Sequence, residues 1–260
     1  MSKYYEKLAV EGGKPFRKEP FILSPLIGEE EAKAVYEVVK SGRVFDASYG
    51  GKVKEFEEEF AKYHGVKHAV AVGTGTEALQ VALAAYDVGP GDEVIVPPYT
   101  MVSTASCVVH QNAIPIFADI DGRTYNIDPE DVRRKITEKT KAIIPVHIFG
   151  QPADMDSFVR IGEEFNLHII EDCAQAHGAE YKGRKVGSIA EVSCFSFTCK
   201  NVCTGTGGMI LTDNDELDNA PAEASRPSLL VPNRDFGLFL LPNRSHGGDR
   251  PRPVEEVRYD

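Results

Sequence analysis

The spacing of hydrophobic and polar positions changes along the chain near residue 68. Before that point, apolar residues recur every three or four positions, which is the period of an amphipathic helix. EEEAKAVYEVVKSG predicts one helix that ends at Gly42, and KVKEFEEEFAKYHG predicts a second that ends at Gly65, because glycine commonly follows the last helical residue. The segment between them, GRVFDASYGG, is predicted to be a loop.

From residue 68 onward, short apolar runs of strand length recur, and helical or loop segments separate most of them. The runs are HAVAV (68–72), EVIVP (93–97), IPIFAD (114–119), AIIPVH (142–147), HIIED (168–172), SCFSF (193–197) and GMILT (208–212). Buried strands that alternate with helices predict an α/β domain around a mostly parallel sheet. Such sheets bind ligands beyond the carboxyl ends of their strands, so functional residues are expected just after each run.

The last segment, residues 218–260, differs in composition from the rest of the chain. It holds six of the 16 prolines, contains no lysine and shows no helical period. A Pro-rich linker or tail is one interpretation. We favour another, a reading frame lost near residue 218 that leaves a poorly ordered tail. The predicted organisation is an N-terminal segment (1–28), a large α/β domain (29–217) and this aberrant tail.

Composition and charge narrow the class of protein. The net charge of −11 argues against non-specific binding to nucleic acid or to anionic membranes, which need clustered Lys and Arg. No apolar run of ~18 residues predicts a membrane span, and the start, MSKYYEKLAVEGGKP, lacks the apolar core of a signal peptide. Five cysteines without a CxxC pair predict reduced thiols and a cytoplasmic location. Three of them, Cys194, Cys199 and Cys203, match no zinc pattern and are predicted to be small buried side chains.

VGTGTEALQVALAAY (72–86) combines a strand end, a glycine turn and an apolar helix. Thr74 and Glu77 have the spacing of a capping box. The N–H groups and the positive dipole end at the start of such a helix can bind a phosphate. A well-capped structural helix is the alternative, and this motif taken alone favours it.

HIIEDCAQAHG (168–178) brings two acids, Glu171 and Asp172, to the end of a predicted buried strand. A carboxylate there can hold a proton on a ring nitrogen, bind a metal together with His177, or cap the following turn. No second His or Cys stands at a regular ligand spacing, so we predict no metal site.

CFSFTCKNVCTGTGG (194–208) places one lysine, Lys200, between a predicted strand and a glycine turn. PPYTMVSTAS (97–106) and VHIFGQPADMD (146–156) follow other strand ends and are expected to border the same cleft. A lysine in a cleft that also holds a phosphate-type turn and the strand-end Asp172 suggests a Schiff base. Pyridoxal phosphate (PLP) needs these three groups, because its aldehyde takes an amine, its phosphate an anion site, and its ring nitrogen an acid.

These motif blocks, in this order, resemble the DegT/DnrJ/EryC1/StrS family of PLP-dependent aminotransferases over about residues 20–217. The blocks are LSPLIGEEEAKAVYEVVKSG, GTGTEAL, GPGDEVIVPPYT, AIPIFADID, YNIDP, AIIPVHIFGQPADMD, IIEDCAQAHGAEYKGRKVGS, and FSFTCKN followed by GGMILT. The resemblance implies an aspartate-aminotransferase-like large domain of PLP fold type I, with a mostly parallel sheet flanked by helices. It also implies a small C-terminal domain, largely missing from this chain, and a homodimer whose active sites use both subunits.

The resemblance further implies roles for individual residues. Lys200 would form the Schiff base and move protons as the catalytic amine, and Asp172 would pair with the pyridine nitrogen. Gln175 would approach the phenolic oxygen of the cofactor. The implied phosphate contacts are Gly75, Thr76 and Ser196.

Two positions depart from the family pattern. Met101 stands where the family usually stacks an aromatic ring on the cofactor, although a thioether can pack against the same face. Thr206 stands where the family's glycine run usually has an acid.

The implied function is transfer of an amino group from an amino acid, expected to be glutamate, to the ketone of a nucleotide-linked sugar or related cyclic ketone. Such reactions belong to the biosynthesis of polysaccharide or antibiotic sugars. The alternative is a truncated, non-catalytic remnant that at most binds PLP. A Rossmann-type oxidoreductase is disfavoured, because no G-x-G-x-x-G follows the first predicted strand.

Overall fold

The protein has helices on both faces of a central sheet in the computed structural model, which describes residues 9–15, 27–42, 51–198, 202, 204–215 and 217. The helices in these ranges are α1 (Glu29–Ser41), α2 (Lys52–His64), α3 (Gly75–Ala85), α4 (Ser103–His110), α5 (Pro129–Lys135) and α6 (Met155–Phe165), with short 3₁₀ helices at Ala9–Glu11 and Ile148–Gly150. The strands are β1 (His68–Val72), β2 (Glu93–Val96), β3 (Ile114–Phe117), β4 (Thr140–Ile143), β5 (His168–Asp172), β6 (Glu180–Tyr181), β7 (Arg184–Lys185), β8 (Val192–Ser196) and β9 (Gly208–Thr212).

Seven strands form one sheet in the order β1-β9-β8-β5-β4-β2-β3, and β6 and β7 form a separate hairpin. β9 runs antiparallel to both of its neighbours, β1 and β8, and the remaining pairs are parallel. The sheet is therefore mostly parallel, as predicted. Six of its strands end at the same edge, called the carboxyl edge below, and β9 begins there.

Two apolar layers cover the sheet. On one face, α3 and α4 pack on side chains such as Val94, Val96 and Ile170. On the other face, α5 and α6 pack on Ile95 and Ile169, and α2 packs on Phe195. Successive residues of one strand point to opposite faces, so the continuous apolar runs are those of strands buried on both sides.

The predicted elements agree with the structure except at one strand. α1 and α2 end where predicted, with Gly42 and Gly65 in the left-handed conformation at φ 72° and 74°. β4 lies two residues earlier than the predicted 142–147 and stops at Ile143. Pro145 accounts for the early end, because it has no N–H to donate to a neighbouring strand.

Several predictions lie outside the described residues. The loop at 43–50, the tail at 218–260 and most of the N-terminal segment belong to this group. Within the described ranges, none of the helices is both long and apolar enough to cross a membrane.

His64, the last residue of α2, lies in the aromatic part of the core. Its ring centroid is 4.5 Å from that of Phe60 and 4.9 Å from that of Phe195. Nδ1 donates to the Phe60 carbonyl at 3.0 Å, whereas Nε2 is buried without a hydrogen-bond partner among the described residues. Burial is the main cause and lowers the pKa of His64; the hydrogen bond to the Phe60 carbonyl opposes it, and the smaller effects of Lys185 and Glu171 lower and raise the pKa respectively.

This environment makes folding stability depend on pH. Because the pKa of His64 is lower in the folded chain, the unfolded chain binds the proton more readily. Stability from this group is complete above the unfolded value of about 6.5 and is lost as pH falls below it. Urea unfolding at pH 5.5 and 7.5 should therefore show a larger loss on acidification for the wild type than for His64→Phe. Equal losses of stability in the two proteins would show that His64 does not cause this pH dependence.

Candidate active site

The turns that follow β1, β5 and β8 meet at the carboxyl edge, where the sequence predicted functional residues. In the β5–β8 register Asp172 lies opposite Cys194. Ser196 is two residues further along β8, which is about 7 Å in a strand. The acid after β5 and the hydroxyl at the end of β8 are therefore close neighbours on adjacent strands.

Thr74 and Glu77 cap the start of α3, as their spacing predicted, but Glu77 accepts from a different N–H group than in a standard capping box. Thr74 Oγ1 accepts a hydrogen bond from the Glu77 N–H at 3.0 Å. The Glu77 carboxylate accepts from the N–H of Gly73 at 2.8 Å, not from that of Thr74 as in a standard capping box. The N–H groups of Gly75 and Thr76, in the first turn, have no partner inside the helix. N–H groups at a helix start can, together with the helix dipole, bind an anion.

Glycine is required at two points around this helix start, because other chain segments approach closely. A Cβ on Gly75 would lie 2.6 Å from the Cβ of Ser196. A Cβ on Gly208, the first residue of β9, would lie 2.5 Å from the carbonyl oxygen of Thr74. The start of α3 is thus packed directly on the end of β8 and the start of β9, and the Ser196 hydroxyl lies beside it.

Thr206, where the sequence departs from the family pattern, has a defined contact. Its hydroxyl donates to the carbonyl of Gly73 at 2.8 Å. Thr204 in turn donates its hydroxyl to the carbonyl of Thr206. The glycine turn before β9 is therefore bonded to the turn before α3 without the acid that is usual in the family.

Asp172 is 4% exposed, and both of its carboxylate oxygens accept hydrogen bonds. Oδ2 accepts from the hydroxyl of the fully buried Thr104 at 3.0 Å, and that hydroxyl is itself 3.0 Å from Thr100 Oγ1. Oδ1 accepts from the N–H of Ala174 at 3.1 Å, which is the turn-capping role that the sequence left open. These contacts fix the orientation of the carboxylate at the strand end.

Glu171 points to the opposite face of β5 and is completely buried. Its two oxygens accept four N–H groups, at 2.7–3.0 Å, from His147 Nε2 and the backbones of Gly187, Ile189 and Ala190. His147 Nδ1 accepts from the N–H of Ala153, so the ring is the neutral tautomer with its proton on Nε2. Burial alone would raise the pKa of Glu171, but these hydrogen bonds hold it below its usual range.

Among the described residues, His147, Glu171 and Cys173 have ligand-type atoms within 4.8 Å of one another. The hydrogen bonds of His147 and Glu171 already occupy the atoms that a metal would need. Burial raises the pKa of the Cys173 thiol well above its ordinary value, which opposes the thiolate form that binds metals. His147 and Glu171 form a hydrogen-bonded pair in the core, and the buried Cys173 lies beside them.

Cys194 is buried, as predicted, and so are Cys107 and Cys173. Burial also raises the pKa of the Cys194 thiol well above its usual range, with Asp172 as the next cause. These three thiols are therefore packed side chains of the core. Cys199 and Cys203 lie outside the described residues.

Gln175 and Met101 also lie at the carboxyl edge. Gln175 Oε1 accepts the N–H of Phe149 at 2.8 Å, which leaves the amide N–H groups of Gln175 as donors toward a ligand oxygen. Met101 precedes α4, and its side chain is 62% exposed. Its carbonyl accepts a hydrogen bond from the N–H of Thr104, the residue whose hydroxyl orients Asp172.

The structure brings together Gly75, Thr76 and Ser196 on one side of the edge and sets Asp172 on the strand beside them. Lys200, the predicted Schiff-base lysine, lies outside the described residues. Thr104 was not singled out from the sequence, although it lies in PPYTMVSTAS, which was expected to border the cleft.

Comparison with known proteins identifies the family of the chain. A family model described as the DegT/DnrJ/EryC1/StrS aminotransferase family matches residues 25–230. GDP-perosamine synthase of Caulobacter vibrioides is 44% identical over 75% of this chain and 53% of its own length. L-glutamine:2-deoxy-scyllo-inosose aminotransferase of Streptomyces lividus is 43% identical over 80% of this chain and 50% of its own length. Spr1654 of Streptococcus pneumoniae, solved in a PLP form, has a TM-score of 0.71 and 34% identity over 78% of this chain and 55% of its own.

The fold is that of the large domain of a PLP fold type I aminotransferase, as the family resemblance implied. The chain belongs to the DegT/DnrJ/EryC1/StrS aminotransferase family. The match extends beyond Leu217, where the recognisable motif blocks end. The chain spans about half the length of the curated relatives that it matches.

Proposed function

We propose that this chain provides the cofactor-binding domain of a PLP-dependent aminotransferase. The enzyme would move an amino group from an amino acid to the ketone of a nucleotide-linked sugar or a related cyclic ketone. The observation that carries the proposal is the packing of a helix start built on Gly75 against Ser196, with the oriented carboxylate of Asp172 on the neighbouring strand. Relatives named for GDP-perosamine and for 2-deoxy-scyllo-inosose support this class of substrate.

The described residues fit PLP. Because Gly75 has no Cβ, Ser196 packs directly on the start of α3, so its hydroxyl lies beside the first turn of the helix, and this combination suits a phosphate. The carboxylate of Asp172 is buried and is oriented by Thr104 and Ala174, so it can hold a proton on a ring nitrogen. When bound, PLP supplies a protonated ring that accepts electrons from the carbon that loses or gains the amino group.

Each remaining residue has a separate task in this proposal. The amide N–H groups of Gln175 would donate to the phenolic oxygen of the cofactor. The Met101 thioether would pack on one face of the ring. Lys200 Nζ would attach the cofactor and then act as acid and base on the substrate carbon.

The amino donor is a second element of the proposal. Glutamate is the donor expected from the family resemblance, whereas one relative is named for L-glutamine. Both amino acids present the same α-amino group, so the residues above do not distinguish them. Mixing the PLP-loaded protein with each amino acid and following the loss of Schiff-base absorbance would identify the donor.

Reduction with borohydride tests the proposal directly. After incubation with PLP, reduction should fix a pyridoxyl group on Lys200, because a Schiff base becomes a stable amine when reduced. Peptide mass spectrometry should locate the label on this lysine. Lys200→Ala should lose the label completely, whereas Lys182→Ala, which removes a lysine that is 66% exposed, should keep it.

Two other results of this labelling experiment would contradict or narrow the proposal. Label scattered over surface lysines would reject the cofactor site. Label on Lys200 without transfer of nitrogen to any ketone would support the non-catalytic remnant. A homodimer and a cytoplasmic location remain predictions, and sedimentation of the PLP-loaded protein would measure the first.

A further inference from the structure

Three neighbouring aromatic side chains are exposed at the carboxyl edge. Tyr99, Tyr125 and Phe149 are 45%, 51% and 73% exposed, and they are called the aromatic rim below. The ring centroid of Tyr99 is 5.8 Å from that of Tyr125 and 6.0 Å from that of Phe149. Clustered aromatic side chains that remain exposed commonly mark a binding surface.

The backbone holds the rim in an unfavourable conformation. Tyr125 and Phe149 have φ angles of 62° and 53°, in the left-handed region that bulky residues rarely adopt. Strain of this kind persists only where surrounding contacts impose it, and it concentrates at functional sites.

Asn126 supplies those contacts. Its side chain is almost completely buried, and Oδ1 accepts the N–H of Ile148 at 3.2 Å. Its Nδ2 donates to the carbonyls of Gln151 and Pro152, both at 3.0 Å. One amide therefore joins the turn that carries Tyr125 to the turn that carries Phe149.

The rim is connected to the residues assigned to the cofactor. The N–H of Phe149 itself donates to Gln175 Oε1. Tyr99 precedes Thr100, whose hydroxyl is hydrogen-bonded to that of Thr104, the donor to Asp172. A molecule that touches the rim would therefore lie near Gln175 and Asp172, the residues proposed to contact the cofactor.

We infer that the aromatic rim binds the hydroxylated ring of the ketone substrate, with one face of that ring against Tyr99 and Phe149. This inference rests on the proposed function and adds the part of the substrate that is recognised. Aromatic faces carry partial negative charge and attract the C–H bonds on the face of a saturated ring. The phenol groups of Tyr99 and Tyr125 can exchange hydrogen bonds with hydroxyls at the ring edge. A nucleobase fits less well, because it lies at the far end of a diphosphate from the reacting ketone.

The test measures ring binding apart from cofactor binding. The protein is loaded with PLP, which has no amino group to transfer to a ketone, and is titrated calorimetrically with 2-deoxy-scyllo-inosose. Phe149→Leu and Tyr99→Leu should each raise the Kd by about tenfold, the equivalent of 1.4 kcal/mol. Leucine keeps the Cβ and the apolar character, so the variants remove the aromatic ring and, at Tyr99, its hydroxyl.

Phe165→Leu is the matched control. Phe165 is 39% exposed at the end of α6, next to the amino end of β5 and hence at the opposite edge of the sheet. Its Kd should equal that of the wild type. The label on Lys200 should be unchanged in all three variants, so loss of that label would report failure of the cofactor site instead.

Three results would overturn the inference. The first is absence of measurable binding of 2-deoxy-scyllo-inosose to a protein that does label on Lys200. The second is an unchanged Kd in both rim variants. The third is a change of oligomeric state in the rim variants with the Kd unchanged, which would assign the rim to contact with a second copy of the chain.

Discussion

Replacing Glu171 with alanine is expected to lower the free energy of unfolding by about 3–5 kcal/mol, because several buried N–H donors lose their acceptor. The side chain is completely buried, and its oxygens accept four N–H groups. Removing it leaves those donors without acceptors, and each buried donor left unpaired costs about 1–3 kcal/mol before relaxation. Because three of the donors lie in the turn from Gly187 to Ala190, that turn should detach from β5.

Urea unfolding at pH 7.5 measures the effect. The matched control is Glu164→Ala, since Glu164 is 52% exposed and pairs with Arg133 at 2.7 Å on the surface. An exposed pair contributes at most about 1 kcal/mol. Glu171→Gln should fall between the two, because its amide presents an N–H₂ group to donors that need an acceptor. A loss for Glu171→Ala no larger than for Glu164→Ala would refute the assignment.

The stability of the wild type and that of Glu171→Ala should also respond differently to a fall in pH. The pKa of Glu171 is lowered in the folded chain, so its contribution to stability is present above the unfolded value and lost as pH falls through the folded one. The difference in stability between the wild type and Glu171→Ala should therefore shrink in acid.

The sheet and the position of the site could be predicted from the sequence because their signals are local. Apolar runs gave six of the seven main strands within a residue or two of their ends, and Pro145 ended the other one early. Once the strands are parallel, their carboxyl ends must share one edge, so Gly75, Asp172 and Ser196 could be placed together without a structure.

The contacts that orient the site could not be predicted in this way. Thr104 and Asp172 are 68 residues apart in the chain, and His147 and Glu171 are 24 apart. The hydrophobic period and the local motifs do not predict such pairs, because which residues meet depends on the order of the strands in the sheet. The position of antiparallel β9 between β1 and β8 could not be predicted from local signals either. This position brings Gly208 into contact with Thr74.

The second large effect is expected when Asp172 is replaced by asparagine. The hydrogen bond of Thr104 and that of Ala174 hold its carboxylate in place from the protein side. Asparagine has the same shape and can keep both contacts, because the Thr104 hydroxyl can accept as well as donate. It cannot carry the negative charge that holds a proton on a ring nitrogen. Folding should therefore survive this change while the chemistry does not.

Asp172→Asn is expected to lower the rate of the donor half-reaction by about 10²–10³-fold, as for loss of one oriented electrostatic group. Its free energy of unfolding should stay within about 1 kcal/mol of the wild type. Single-turnover rates at saturating PLP, with either glutamate or L-glutamine as donor, measure the first quantity, and urea unfolding measures the second. Thr104→Val should cause a smaller loss, because it removes one orienting donor and leaves the charge. A rate for Asp172→Asn within threefold of the wild type would show that this carboxylate has no part in the reaction.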